Sequence, residues 1–361
     1  MALKVAFNGW FLRRPDTGSG QYLIHLLEEF RKPEYGVSAD VVEPPTQGDV
    51  AKLRFEQWEF PKAARGIEAE IAHVPYFGSA VRPRLPTVVT IHDLIPLVVP
   101  AYHGSAKVRL YTRLVAWAAR QAKAIIADSE ASRRDIVRLL SIDECKVHVI
   151  YLAADERYQP VSAPAALDAV RNKYGLPEQF VLYLGGFDQR KNVLNLVRAF
   201  AKVARGLGGD VALVLAGRPP QGHSSLFPDM HALIDELELS EQVQFIGEVS
   251  EDEKPTLYSL ASCFAWPSYY EGFGLPVLEA MACGTPVVAA DTSSLPEIVG
   301  DAGFLVQPDS VNRMAGAIIA SLIDENLRQE HRAKGLAQAA KFSWQQCARA
   351  TVQVYQAVRQ H

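Results

Sequence analysis

At 361 residues the chain exceeds what one ordinary hydrophobic core supports and suits two domains. An apolar share of 48% and a charged share of 22% are those of a soluble globular protein, and a net charge of −4 argues against a nucleic-acid-binding surface. The cysteines Cys145, Cys263, Cys283 and Cys347 show neither C-x-x-C nor zinc spacing, no charged-then-apolar leader opens the chain, and no apolar run approaches the ~20 residues of a membrane span. The expected setting is the cytoplasm, with peripheral attachment to the inner membrane face left open.

In chain order, Leu3 to Asn8 (LKVAFN) reads as a parallel-type strand followed by the loop GWFLRRPDTGSG. A helix is expected from about Gln21, with Tyr22, Leu23, Leu26, Leu27 and Phe30 at helical spacing. Gly18 and Gly20 precede it, where backbone amides could face a phosphate, although the dinucleotide fingerprint lacks its third glycine and later acid. On the residues alone that turn is structural. Strands follow at about 37–42, 71–74 and 87–91, with His73 and His92 at the ends of two of them. A strand-end histidine is usually structural, and His73 is read so.

Ser105 to Lys123 (SAKVRLYTRLVAWAARQAK) has a helical pattern with five cations and no acid. A basic amphipathic helix suits an anionic membrane surface or an anionic acceptor, while a helix docked on its own sheet with a solvated basic face is the plainer reading. A strand at 124–129, a helix from Glu130 to Leu140 capped by Ser129, and a strand at 147–151 close a first domain, 1–160. The Pro- and Ala-rich stretch 160–166 reads as the linker to a second domain, 161–342.

Phe180 to Phe200 (FVLYLGGFDQRKNVLNLVRAF) repeats the strand, glycine loop and helix plan, with Asn192 the expected N-cap. Arg190 and Lys191 just before that helix are usually a solvated pair; after a glycine loop at a strand's carboxyl end, a diphosphate becomes the better reading. Strands at 211–216 and 243–246 follow, then Cys263 to Trp266 and the loop-helix-strand FAWPSYYEGFGLPVLEAMACGTPVVAAD. Pro276 suits a first helical turn, and Gly284 a left-handed cap. Glu271 lies in the glycine loop and Glu279 in the expected first turn of the helix. An acid there is often only a partner for the helix dipole, and strand-glycine-helix turns are common to all α/β proteins.

EGFGLPVLEAMACGTPVV, from Glu271 to Val288, resembles the E-x7-E motif of the retaining glycosyltransferases of family 4. The resemblance covers nearly the whole chain and implies the α/β GT-B fold: two Rossmann-like doubly wound domains facing across a cleft. It implies an N-terminal acceptor domain, a C-terminal nucleotide-sugar domain and a terminal helix (343–361) crossing back onto the first. His92, in TIHDLIPLVVP, is implied to face the donor sugar, and Asp93 reads as a loop-ordering acid. Lys191 fits the family's lysine; the family's arginine position holds Gly186, and Arg190 is the candidate substitute. Gly18 and Gly20 match a loop near the donor phosphate, and backbone near Val249 is implied to meet the base.

No D-x-D occurs, so no metal and no cofactor beyond the substrate is expected. Charge on the leaving phosphate then falls to Arg190, Lys191 and the amides of Gly272, Phe273, Gly274 and Leu275. Glu279 is expected to grip ribose hydroxyls and Glu271 the transferred sugar, with retention of configuration. TIHDLIPLVVP with GGFDQRKN most resembles bacterial GDP-mannose-dependent mannosyltransferases of O-antigen assembly. Transfer to a glycan or lipid-linked acceptor follows, UDP-glucose or another UDP-sugar being the rival donor. Outside the class stand a sugar-nucleotide epimerase or hydrolase on the same architecture, and a non-catalytic binder. The loops 10–20, 44–60 and 76–86, which set acceptor choice, match nothing specific.

Overall fold

The computed structural model describes residues 2–15, 17–208, 211–218, 222, 224 and 226–360. The chain divides into two compact units, Met1–Leu152 with Ser343–His361, and Ala153–Phe342. The division falls earlier than the boundary expected at 160. The expected linker is partly helix: Pro164–Tyr174 winds with proline in its first turn and Gly175 in a left-handed cap. A proline and alanine run was compositionally open to either reading, and its apolar face, Val170 included, packs against the helix Lys254–Leu260.

The first unit holds strands β1 (Leu3–Asn8), β2 (Val37–Val42), β3 (Ile71–Val74), β4 (Thr87–Ile91), β5 (Ala124–Ala127) and β6 (Val147–Val149). They form one sheet in the order β2-β1-β3-β4-β5-β6, every pair parallel. β3, β4 and β5 are buried along their full length, as parallel strands covered on both faces are. The helix Trp344–Gln360 packs on Gly18–Phe30 within this unit. Trp344 stacks on His25 at 4.6 Å, and Tyr355 Oη lies 2.5 Å from His73 Nδ1. His73 Nε2 meets Thr90 Oγ1 at 2.9 Å, and burial, with the His92 ring adding, pushes the His73 pKa down to about 3. His73 is thus a neutral core residue.

The second unit repeats the plan with β7 (Phe180–Leu184), β8 (Ala212–Ala216), β9 (Val243–Gly247), β10 (Cys263–Trp266), β11 (Val287–Ala290) and β12 (Phe304–Val306). Their order is β12-β11-β10-β7-β8-β9, again parallel throughout. Strand order reverses between β7 and β10, and in such sheets ligands sit outside the carboxyl ends at the reversal. Both chain segments singled out by the sequence leave the sheet there. Helices Val311–Ile323 and Glu325–Ala339 were not anticipated; the first is largely apolar around its circumference and buries Met314, Ile318 and Leu322.

Candidate active site

After β7 the chain makes a short turn, Gln189–Lys191, and enters the helix Val193–Leu207. Asn192 occupies the position before that helix, but its side chain makes no cap: φ is 58°, the left-handed region asparagine tolerates. Instead its buried Nδ2 donates to the carbonyls of Pro267 (3.1 Å) and Pro308 (2.9 Å). Tyr269 N donates to Arg190 O at 2.8 Å. The cation-bearing turn is therefore pinned to the loop that follows β10.

That loop carries Glu271. Lys191 Nζ lies 2.7 Å from Glu271 Oε1, and Arg190 Nη1 3.0 Å from Glu271 Oε2. Arg190 Nη1 also donates to Tyr270 O at 2.8 Å, Asp188 Oδ1 stands 3.7 Å from Arg190 Nε, and Lys191 Nζ sits 4.3 Å from the Trp266 ring centroid. The Lys191, Arg190 and Glu271 side chains are each close to nine-tenths buried. Burial opposes ionisation of Glu271, but the two cations win and hold its carboxyl below the usual range. Lys191 is pulled down, first by burial and then by Arg190, beyond what Glu271 restores. A further anion here would favour the charged lysine.

The glycine loop is fixed by serines that the sequence reading passed over. Ser293 Oγ accepts from Glu271 N at 2.9 Å, and Ser294 Oγ reaches Glu271 O at 3.0 Å and Phe273 O at 2.6 Å. Phe273 is buried against Phe342, and Gly274, at φ 114°, opens the helix Leu275–Ala282 with Pro276 in its first turn. Gly186 lies after β7, its carbonyl accepting from Tyr183 Oη. Gly272, Phe273, Gly274 and Leu275 thus share one sheet edge with the cations.

Glu279 falls in the second turn of that helix, not the first, because the helix opens at Leu275. Tyr258 Oη donates to its Oε2 at 3.0 Å. Burial dominates and, with Glu251 and Asp155 adding, raises its pKa to about 7 against the pull of Lys254 and Tyr258. Val249 follows Gly247, the end of edge strand β9, where Arg218 pairs with Glu248 at 2.8 Å. The neighbouring Tyr258 and Tyr158 were not foreseen; Tyr158 packs edge-on against Tyr258 and donates to Glu251.

In the first unit, His92 follows β4 at its carboxyl end. Its Nδ1 is 2.7 Å from Asp128 Oδ2 and its Nε2 3.1 Å from Pro75 O. Asp93 Oδ1 accepts from Ile95 N, which fits a loop-ordering acid. Gly18 and Gly20 lie inside the helix Gly18–Phe30 rather than before it. Thr17 caps Gly20 N, and a Cβ on Gly20 would stand 2.0 Å from Arg14 O, so close backbone approach demands this glycine without a ligand. Of the loop 10–20, Asp16 lies outside the described residues.

Among the described residues no cluster of three or more His, Cys, Asp or Glu is placed to hold a metal ion, and no helix is long and apolar enough to cross a membrane. Residues 168–338 match the family described as Glycosyl transferases group 1, and residues 18–158 match Glycosyltransferase Family 4. O-antigen chain mannosyltransferase B of Escherichia coli is 36% identical over 269 residues, 74% of this chain and 69% of that protein. The serotype-specific mannosyltransferase WbdA of Escherichia coli is 32% identical over 272 residues, 74% of this chain but 33% of that protein, so the chain spans about a third of it. The sucrose-phosphate synthase of Thermosynechococcus elongatus superposes with a TM-score of 0.76 at 22% identity, covering 98% of each chain.

Proposed function

The chain belongs to glycosyltransferase family 4, with the GT-B fold and mannosyltransferases among its relatives, and from that premise we propose that it transfers mannose from GDP-mannose to a glycan or lipid-linked acceptor with retention of configuration. The observation that carries this reading is the convergence of Lys191 and Arg190 on Glu271 at the strand-order reversal of the second sheet. Two cations, a helix N-terminus and a carboxylate at one sheet edge suit a diphosphate joined to a hydroxyl-rich sugar. On arrival of the donor the cations turn to the diphosphate. They stabilise the charge that builds on it as the glycosidic bond breaks. Glu271, held ionised, accepts from hydroxyls of the transferred sugar, and Glu279 accepts from the ribose diol. The departing phosphate takes the acceptor's proton, so no side-chain nucleophile is required.

The basic helix Ala106–Ala119 presents Val108, Leu110 and Trp117 to solvent beside Lys107, Arg109 and Arg113, which supports peripheral contact with an anionic membrane. The mannosyltransferase relatives support mannose as the transferred sugar, and GDP-mannose is the donor proposed to carry it. The test is to incubate the protein with GDP-mannose, UDP-glucose and UDP-galactose, measuring thermal shift and nucleotide release with and without a mannose-terminated acceptor. GDP release confined to GDP-mannose and dependent on acceptor is the expected result. Release from UDP-sugars instead would transfer the reading to a UDP-sugar enzyme.

A further inference from the structure

Both ring nitrogens of His92 face atoms that can only accept when Asp128 is ionised. Asp128 Oδ2 lies 2.7 Å from Nδ1, and the Pro75 carbonyl oxygen 3.1 Å from Nε2. Neutral imidazole has one N–H and can serve one such acceptor; imidazolium has two. Asp128 is buried at the carboxyl end of β5, its side chain 2% exposed, and its other oxygen has no hydrogen-bond partner. Among the described residues, the His92 ring is thus the one group seen to hydrogen-bond this carboxylate. We propose that Asp128 is a positioning residue that holds His92 as a standing imidazolium, a fixed positive charge at the carboxyl edge of the first sheet that serves a substrate anion rather than a base that takes the acceptor's proton.

The surroundings agree in charge. Tyr22, from the helix Gly18–Phe30, sets its ring edge against His92 at 5.1 Å, and burial pushes its phenol well above the ordinary range. His73 on β3 is neutral, and the Cys347 thiol on the helix Trp344–Gln360 is pushed up by burial and by Asp128. The acidic side chains acting on the ring are Asp128 and Asp93. Burial lowers the His92 pKa, but these two carboxylates, the Asp128 hydrogen bond and the Pro75 carbonyl outweigh it, and the net direction is up. The ring is also held in place: Ser132 Oγ donates to His92 O at 3.1 Å while Ser129 caps the same helix start.

The inference rests on the transferase reading only for its use of the charge; the charge itself is measured without turnover. The full chain, labelled with ¹³C at histidine Cε1, is titrated by NMR, with His92→Gln assigning the resonance and Asp128→Asn testing the partner. His92 is expected to titrate above the ordinary value of about 6.5, and Asp128→Asn to move that midpoint down by about one unit or more. Turnover of wild type with GDP-mannose should fall as pH rises through the same midpoint. Asp128→Asn should lower kcat on the order of 10- to 100-fold, with KM little changed and Asp128→Glu recovering part. A His92 that is neutral at pH 7, a midpoint untouched by Asp128→Asn, or turnover that rises through it would overturn the assignment. The assigned wild-type titration decides this even if Asp128→Asn fails to fold. An elevated midpoint in a protein that transfers from no nucleotide sugar would leave the imidazolium standing and sink the transferase reading instead.

Discussion

Lys191 Nζ reaches Glu271 Oε1 at 2.7 Å, joining the turn after β7 to the loop after β10. Removing one partner from such a buried pair leaves the other uncompensated, which costs roughly 3–5 kcal/mol. Arg190 shares Glu271, so the loss is divided: Lys191→Met should destabilise by about 1–3 kcal/mol and Glu271→Gln by more, since it strands two cations. Urea unfolding of both variants checks the order. In kinetics, Glu271→Gln should lower kcat on the order of 100-fold or more while donor affinity changes less.

Glu279 should behave in the opposite sense. Its folded pKa of about 7 lies above the ordinary carboxylate value, so the folded state resists its ionisation. Stability from this group is fully present below about pH 4.5 and lost as pH rises through about 7. Glu279→Gln should therefore match wild type near pH 4.5 and exceed it above pH 7, on the order of 1–3 kcal/mol, as read by thermal melts across pH. Donor affinity, measured by calorimetry, should rise from pH 6 to 8 in wild type and lose that dependence in Glu279→Gln. A kcat effect larger than the affinity effect would reverse the division of roles between the two glutamates.

Ser294 is expected to matter through the loop alone. Its one hydroxyl proton serves the carbonyls of Glu271 and Phe273. Ser294→Ala should cost about 1–2 kcal/mol and raise the donor KM, with little change in the pH profile. An unaltered KM and melting temperature would mean the loop is held by other contacts.

Gly20 carries a structural demand. An alanine Cβ at 2.0 Å from Arg14 O forces the loop or the helix start to shift, at a cost of roughly 1–3 kcal/mol. Gly18 has open space around its would-be Cβ, so Gly18→Ala should be nearly neutral in stability. Melting curves for the two variants separate them; equal effects would contradict the packing account.

The basic helix gives a separate test. Leu110 is 71% exposed and Trp117 46%, and each cation near an anionic surface contributes about 1 kcal/mol. The protein should float with vesicles containing anionic lipid at about 0.15 M salt and not with neutral ones. Leu110→Glu with Trp117→Glu should release it. Absence of flotation with anionic vesicles would remove the membrane from the account.

Much of the fold was legible because parallel strands buried on both faces are short β-branched runs such as Thr87 to Ile91, bounded by turn residues. The Arg190, Lys191, Glu271 and Glu279 segments were visible through a motif specific in spacing and residue type. What escaped was long-range. Asp128 precedes an ordinary N-cap serine, and only the adjacency of β4 and β5 brings it to His92. Asn192 looked like a cap by position, yet its side chain is spent on carbonyls far along the chain. Ser293 and Ser294 belong to no motif, and only the fold lays the glycine loop beside them. Helix Pro164–Tyr174 was hidden by composition, since proline at a first turn and proline in a linker look alike.

The most direct test of the central claim is a structure of the protein with GDP-mannose bound. The account predicts the diphosphate within ion-pair distance of Lys191 and Arg190, the ribose on Glu279 and the mannose on Glu271. A nucleotide lodged elsewhere, with both cations still on Glu271 in an enzyme that turns over, would contradict it.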